Sequence, residues 1–156
     1  MVATISTFTT GWLTTDRGGL IEGGEGSMRI PVLSHLVTHP KGRLVFDTGL
    51  HPDVRVDAHA RIGFLADLFA TELPAGTAID GRLDALADGI DLVVSSHLHF
   101  DHCGGNGCVG DVPIVVQRAE WEAAPGGDPL AGCQGADVDP GQEVRLQFDG
   151  WPAIVF

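Results

Sequence analysis

The sequence predicts a mixed α and β fold, and three observations favour it. Short apolar and β-branched runs alternate with polar, glycine-rich turns, as strands and their connections do. One long segment between these runs carries its apolar residues at helical spacing. The 156 residues suit one domain, or part of a larger one, and contain no internal repeat. Because hairpin patterns come first and strand–loop–helix patterns follow, we expect helices packed on a sheet.

The first third of the chain predicts strands joined by turns. β-branched residues fill 2–9, which predicts a strand, and the glycine-rich stretch 16–27 predicts a loop. Residues 29–38 and RLVFD (43–47) predict two further strands, joined into a hairpin by the tight turn HPKG. Glycine and proline in the following DTGLHPD end the last strand, so Asp47 lies where a strand gives way to a loop.

The segment 57–73 predicts a helix, which Pro74 ends. Its apolar residues recur at helical spacing: Ile62, Leu65, Leu68, Phe69 and Leu73. Packing against the core or an interface is the simplest explanation of this apolar face. The alternative is that Leu65, Leu68 and Phe69 line a substrate pocket.

The remainder of the chain predicts further strands and short helices. The apolar run 89–96 is bounded by a glycine and serines, which is typical of a buried strand. The other predicted elements are a helix at 80–88, a strand at 113–117, a helix at 118–124, a loop at 125–141, and two late strands, EVRLQF and AIVF.

Charge and composition disfavour several classes of function. Twenty-one acidic residues against nine basic ones give a net charge of −12, and the basic residues are scattered, so nucleic acid is a poor partner. No apolar run reaches the roughly 18 residues of a membrane span, and the N-terminus lacks the pattern of a signal peptide. Three cysteines without such a signal predict free thiols and a cytoplasmic protein.

The stretch HLHFDH concentrates metal-binding side chains directly after the predicted buried strand. Alternation along an extended chain places His97 and His99 on one side. Asp101 and His102 follow as the chain turns into a glycine-rich segment. Imidazole and carboxylate groups are zinc ligands, and four of them at one strand end can face a common point. The sequence therefore predicts a metal site.

Two alternatives to a catalytic metal site are consistent with these residues but are disfavoured. A chance cluster of surface polar residues is disfavoured because so dense a pattern is rare in a chain of this length. A structural zinc site could add Cys103 and Cys108, since such sites favour cysteine-rich, closed shells. The aspartate in the set and the open space that GGNG leaves favour a catalytic site. Each cysteine by itself is typical of a small, buried thiol.

HLHFDH is the HxHxDH signature of the metallo-β-lactamase superfamily. The longer string SSHLHFDHCGGNG, followed by PIVVQRAEWEAA, resembles the N-acyl-homoserine lactonases, and FDTGLHPD is similar to that family's DTG turn. Together these motifs cover roughly residues 29–124. The resemblance implies a metallo-β-lactamase-like four-layer αββα sandwich, of which this chain supplies the first half.

The resemblance also implies roles for individual residues. It implies His97 and His99 as ligands of a first zinc ion and Asp101 and His102 as ligands of a second. It implies that Asp47 supports the ligand loop, although a role in the turn alone is equally consistent with the sequence. The four other histidines match no ligand motif: His35, His39, His51 and His59.

The family pattern also contains parts that this sequence lacks. The family pattern includes a third histidine for the first zinc, in a TPGHTPGH-like string, and an aspartate that bridges both metals. It also includes a last histidine for the second zinc and a tyrosine near the substrate. Here no histidine follows His102, and no tyrosine occurs. We therefore expect residues 1–156 to be the N-terminal portion of a single domain, truncated before the third-histidine motif. Alone, this portion should be inactive and should bind zinc weakly or not at all. The alternative is a degraded, non-catalytic binding module.

The function implied for the complete protein is hydrolysis of a lactone ring, with two Zn²⁺ ions as cofactors. The substrates would be N-acyl-homoserine lactone signals, whose destruction is called quorum quenching, and Asp101 is the candidate proton shuttle to the leaving alkoxide. Iron, cobalt or manganese would also suit the ligands. Another superfamily hydrolase, acting on thioesters or generic esters, is the alternative. The expected partner is a small-molecule lactone or ester, and a homodimer is left open.

Overall fold

The computed structural model describes residues 2–83, 89–123 and 144–147. Its elements, in chain order, are β1 (Thr4–Asp16), β2 (Ser27–His39), β3 (Gly42–Phe46), α1 (Ala58–Ile62), α2 (Leu65–Leu68), β4 (Ala70–Glu72), α3 (Ile79–Leu83), β5 (Leu92–Val94), α4 (Phe100–Cys103), β6 (Ile114–Gln117), α5 (Arg118–Ala123) and β7 (Val144–Gln147). Short 3₁₀ turns lie in the connections, at Arg17–Gly19, Pro52–Arg55 and Asn106–Cys108. The predicted mixed α and β class is confirmed.

One seven-stranded sheet holds the strands in the order β4-β1-β2-β3-β5-β6-β7. β1 pairs antiparallel with β2 and β4, and β2 pairs with β3 in the hairpin that the HPKG turn predicts. From β3 onward the pairing is parallel, β3 with β5, β5 with β6, and β6 with β7. The carboxyl ends of β3, β5 and β6 therefore lie at one edge of the sheet, where open α/β sheets place their ligands.

Strand β1 runs on to Asp16, whereas the sequence predicts a strand that ends at residue 9. Its register against β2 shifts between Thr9 and Trp12, which marks a β-bulge around Gly11. Gly11 has a φ of +130°, and a Cβ there would lie 2.7 Å from the Leu50 side chain. Because a bulge bends a strand without ending it, this glycine interrupts the pattern but not the pairing.

The prediction of one helix over 57–73 is wrong. Helix α1 ends at Gly63, which takes a φ of +59°, and the short helix α2 follows it. The residues predicted as the last turn of this helix form strand β4 instead, which pairs with residues 12–14 of β1. Arg29 of β2 donates two hydrogen bonds to Glu72, at 3.0 and 2.8 Å, and so ties β4 to the sheet. Pairing at the sheet edge overrides the local helical preference.

Two clusters of buried side chains form the core. The first includes residues of β1, β2, α1, α2 and the loop after β3: Leu13, Val32, Leu50, Val54, Ile62, Leu65, Leu73, Ala78 and Phe100. The second lies against β2 and the parallel strands: Leu36, Val45, Ile79, Val93, Val109 and Ile114. Strands β3, β5 and β6 each supply one residue to this second cluster, Val45, Val93 and Ile114. A strand is present within 89–96, as predicted, and its central residue Val93 is fully buried.

The remaining element predictions agree in outline with the structure. β2, β3, β6 and α5 lie where the sequence predicts them, and the region between β1 and β2 is a loop with one 3₁₀ turn. Helix α3 covers the start of the helix predicted at 80–88, and β7 lies within EVRLQF. The predicted loop at 125–141 and the strand AIVF lie outside the described residues. In the described ranges, no helix is long and apolar enough to span a membrane.

Candidate metal centre

The predicted metal ligands lie at the carboxyl edge of the parallel strands. Asp47 follows β3 directly, and Ser95, Ser96 and His97 follow β5. Strand β6 continues into α5 at the same edge. Because parallel strands end together, segments that are far apart in the sequence meet at this edge.

Backbone hydrogen bonds join the loop after β3 to the segment after β5. The amides of Thr48 and Gly49 both donate to the carbonyl of His102, at 2.7 and 3.2 Å. The amide of Gly105 donates in return to the carbonyl of Gly49 at 3.1 Å. Gly49 has a φ of +76°, and a Cβ there would overlap the Thr10 hydroxyl, so only glycine fits. The two segments therefore form one connected platform.

Asp47 links the same two segments through its side chain. The residue is 4% exposed, and its carboxylate accepts hydrogen bonds from Ser96 N at 2.7 Å, Ser96 Oγ at 2.8 Å and His102 Nδ1 at 2.8 Å. Among the described residues it is also the one non-glycine position with a positive φ, 58°. This conformation is unfavourable for a side chain with a Cβ, so the three hydrogen bonds hold it in place. Such geometry is what a residue supporting a ligand loop requires.

The three histidine rings of HLHFDH lie against one another. The ring centroids of His97 and His99 are 4.5 Å apart, and those of His97 and His102 are 4.0 Å apart. Asp101 adjoins them, with its Oδ2 3.4 Å from His102 Nε2. All four predicted ligands are thus brought together. Over residues 2–83, 89–123 and 144–147, however, no three His, Cys, Asp or Glu side chains are arranged as donors to one ion.

Hydrogen bonds at Nδ1 determine which ring nitrogens remain for a metal. The Ser96 hydroxyl donates its single hydrogen to Asp47 Oδ2, so it accepts a hydrogen bond from His97 Nδ1–H, at 2.9 Å. His102 Nδ1–H donates to Asp47, because an ionised carboxylate only accepts. A neutral imidazole protonated at Nδ1 carries its lone pair on Nε2. Two imidazole nitrogens are thereby prepared as metal donors.

The electrostatics of the site favour a neutral ring at His97. Burial, with the neighbouring His102 and His99, lowers the pKa of His97 to about 4, so the ring is unprotonated near neutral pH. Burial also disfavours the charged form of His102, but the hydrogen bond to Asp47 and the charges of Asp101 and Asp47 outweigh it and raise the pKa of His102. Metal ligands must be unprotonated, so a zinc ion that binds His102 would displace the proton that its raised pKa favours. A set of imidazole and carboxylate groups, with His97 already neutral, fits zinc.

A buried network beside the rings was not predicted from the sequence. Thr48 Oγ1 donates to Asn106 Oδ1 at 2.8 Å, and Asn106 Nδ2 donates to Ser95 Oγ at 3.2 Å. All three residues are buried. The network therefore connects the loop after β3, the end of β5 and the 3₁₀ turn after α4. The available signal was the asparagine in GGNG, directly after HLHFDH.

Thr48→Val is expected to destabilise the protein by about 1–2 kcal/mol, because the buried hydrogen bond from Thr48 Oγ1 to Asn106 Oδ1 is lost. Valine keeps the shape of threonine, so packing changes little. Urea denaturation measures the free energy of unfolding. Thr4→Val, at an exposed position at the start of β1, is the matched control and is expected to stay within about 0.5 kcal/mol of wild type. Equal free energies for the two variants would show that the network does not contribute to stability.

The cysteines differ from the prediction. Cys103 is fully buried and disulfide-bonded, so the prediction of free thiols is wrong at this position. Cys108 is free. A disulfide sulfur is not a thiolate, so a structural zinc site that uses both cysteines is disfavoured.

The three residues suggested as a pocket wall occupy different environments. Leu65 is 1% exposed and belongs to the core, whereas Leu68 is 50% exposed. The ring of Phe69 packs against that of Phe100, with centroids 5.8 Å apart. Because Phe100 is a buried residue of the first core cluster, this contact places Phe69 against the core. A pocket role stays a prediction, and Leu65 is the residue least accessible to a ligand.

Most of this chain matches one protein family. Residues 28–153 match the Metallo-beta-lactamase superfamily. The N-acyl homoserine lactonase AttM of Azorhizobium caulinodans is 33% identical over 133 residues, which cover 82% of this chain and 47% of that protein. The chain spans less than half the length of the curated relatives that it matches, 40% and 47% in two cases.

Solved structures agree with this match. An N-acyl homoserine lactone hydrolase with the product N-hexanoyl-L-homoserine bound at its catalytic metal centre has a TM-score of 0.79 at 23% identity, covering 97% of this chain and 64% of that one. AidC, a dizinc quorum-quenching lactonase, has a TM-score of 0.52 at 16% identity, covering 81% of this chain and 45% of that one. At these identities the likeness shows a common fold.

Proposed function

Because the chain belongs to the metallo-β-lactamase superfamily, we propose that the complete protein is a zinc-dependent hydrolase that opens the lactone ring of N-acyl homoserine lactones. The observation that carries the proposal is the placement of His97 and His102, each held through Nδ1 so that Nε2 is left for a metal. The curated relatives, which are N-acyl homoserine lactonases, support the choice of substrate. Its biological role would be quorum quenching.

The proposed ligand sets divide the HLHFDH side chains in two. His97 and His99 would hold one zinc ion, and Asp101 and His102 a second. Bound zinc supplies Lewis-acid polarisation of an ester carbonyl and activates water near neutral pH. Asp47 fixes the tautomer and the orientation of His102 by accepting its Nδ1–H.

Asp101 is proposed to move a proton during ring opening. Water adds to the carbonyl carbon of the lactone, the bond from that carbon to the ring oxygen breaks, and the departing alkoxide needs a proton. The Asp101 carboxylate lies beside His102 and is partly exposed, with 22% of the side chain accessible. It can therefore carry the proton that the water loses to the alkoxide. The product is the open N-acyl homoserine.

The domain organisation is part of the same proposal. Residues 1–156 would form the N-terminal portion of a single domain of this fold, and the remaining metal ligands would lie in a part of the protein that this sequence does not contain. The 40% and 47% coverage of curated relatives supports this. With two donors per ion, the 156-residue chain alone should bind zinc weakly or not at all. A cytoplasmic location and a homodimer stay predictions.

An assay of lactone hydrolysis tests the proposal, because ring opening releases a proton that a pH indicator detects. With protein produced from the native gene, we expect N-hexanoyl homoserine lactone to turn over at least about tenfold faster than an aryl ester or a thioester with the same acyl chain. Removing metal with a chelator should abolish the turnover, and added zinc should restore it.

Three outcomes of this assay would contradict the proposal in different ways. Turnover that survives complete removal of metal would contradict the metal chemistry. A preference for the thioester or aryl ester would replace the lactone with another ester substrate of the same superfamily. No turnover of any of the three substrates would favour a non-catalytic binding module.

A further inference from the structure

Helix α5, with the sequence RAEWEA, has no part in the function proposed above. It nevertheless contacts the metal centre through one side chain. The carboxylate of Glu120 accepts a hydrogen bond from the backbone amide of Leu98, with Oε2 3.2 Å from the nitrogen. Leu98 is the residue between His97 and His99.

The topology of the sheet explains why Glu120 reaches this amide. Strand β6 pairs parallel with β5, so both strands end at the same edge. Helix α5 begins directly after β6, which places Glu120 in its first turn, beside the residues that follow β5. Glu120 is partly buried, whereas its neighbours Trp121 and Glu122 are exposed. The carboxylate therefore points toward the sheet edge and not toward solvent.

The position of the accepting oxygen matters for the two histidines. Leu98 is buried and lies between His97 and His99, which are both partly exposed. Their ring centroids are 4.5 Å apart. A hydrogen bond to an ionised carboxylate is about twice as strong as one between neutral groups. The hydrogen bond to Glu120 thus holds the backbone of Leu98, the residue that joins the two histidines and so determines the spacing of their rings.

We propose that Glu120 is a positioning residue for the metal centre. It holds the backbone of Leu98 and so keeps the rings of His97 and His99 in register with each other. The link to zinc binding rests on the proposed function, because the rings of His97 and His99 need a fixed relative position in order to share one zinc ion. The proposal does not place Glu120 in contact with the metal or the substrate.

Glu120→Ala, Glu120→Gln and Glu122→Ala test the contact directly. Glutamine keeps an oxygen acceptor, and Glu122→Ala removes the same type of side chain from the exposed side of the same helix. We expect the Leu98 amide to exchange with solvent about tenfold faster in Glu120→Ala, as loss of one hydrogen bond implies. Glu120→Gln should stay within about threefold of wild type, and Glu122→Ala should match wild type.

Two further readouts separate positioning from mere docking of the helix. The first is the nuclear Overhauser contact between the rings of His97 and His99, which should weaken in Glu120→Ala and recover in Glu120→Gln. The second is a zinc titration of the complete protein, followed through the ring signals of these two histidines. This method also detects weak binding. We expect an apparent Kd about tenfold higher in Glu120→Ala only.

The outcomes distinguish this proposal from the proposed function. If Leu98 exchanges at the wild-type rate in Glu120→Ala, or if the ring contact is unchanged, Glu120 is not a positioning residue. If exchange accelerates but the zinc affinity is unchanged, the residue only docks α5, and the proposal is overturned while the proposed function stands. If the wild-type rings of the complete protein do not respond to zinc at all, the proposed function fails, and amide exchange and the ring contact alone decide the role of Glu120.

Discussion

Replacing His97 or His99 by alanine is expected to lower lactone turnover by the complete protein about a thousandfold or more. Each substitution removes one donor from the proposed first zinc site. A metal that polarises a carbonyl contributes several kcal/mol to the transition state, and each 1.36 kcal/mol is a factor of ten in rate. Initial rates of lactone hydrolysis, with the zinc content of each variant, measure the effect.

The matched control for these variants is His59→Ala. This histidine is far from HLHFDH in the sequence, its side chain is 64% exposed, and its Nε2 lies 2.9 Å from Asp67 Oδ1. We expect wild-type turnover and zinc content from His59→Ala. Full turnover by His97→Ala or His99→Ala would contradict the assignment of these residues as ligands.

Asp47→Ala is expected to affect both stability and metal binding. The substitution removes an acceptor of three hydrogen bonds and leaves Ser96 N and His102 Nδ1 without it. Leaving buried donors unsatisfied costs roughly 3 kcal/mol, which for a protein of this size lowers Tm by roughly 10 °C. Loss of the partner that orients a ligand lowers metal affinity by about 10- to 100-fold. Thermal unfolding and zinc titration measure the two effects.

Two variants refine the test of Asp47. Asp47→Asn keeps an oxygen acceptor and tolerates the positive φ, so its effect should lie between those of alanine and wild type. Asp111→Ala, at an exposed position, should change neither Tm nor zinc affinity. Zinc affinity that is equal in Asp47→Ala and wild type, despite a lower Tm, would restrict Asp47 to a role in the turn.

Local patterns were sufficient to predict most strands, but not the path between β3 and α3. The strands β2, β3 and β6 follow from short apolar runs between turn residues. The helix predicted over 57–73 failed for two reasons. Gly63 adopts a left-handed conformation that ends α1, and residues 70–72 find hydrogen-bond partners on β1. The second reason depends on a strand far away in the sequence, which a local pattern cannot reveal.

The candidate site shows the same division between local and distant information. The spacing of HLHFDH predicts a cluster of donors, and the rings do lie together. What orients the rings is not local, because Asp47 and His102 are 55 residues apart and Glu120 lies 22 residues from Leu98. The hydrogen bond between His97 and its neighbour Ser96 is local, but serine is so common in loops that the sequence alone does not reveal this role. Only the sheet topology brings these groups to one edge.

The intact mass and zinc content of the protein produced from its native gene would show whether HLHFDH belongs to a two-zinc hydrolase. We expect a mass above 16.4 kDa and about two zinc ions per chain, the number that a two-metal site requires, with His97→Ala losing zinc and His59→Ala retaining it. A zinc-free protein with wild-type HLHFDH, or zinc content that is unchanged in His97→Ala, would contradict the proposed metal site.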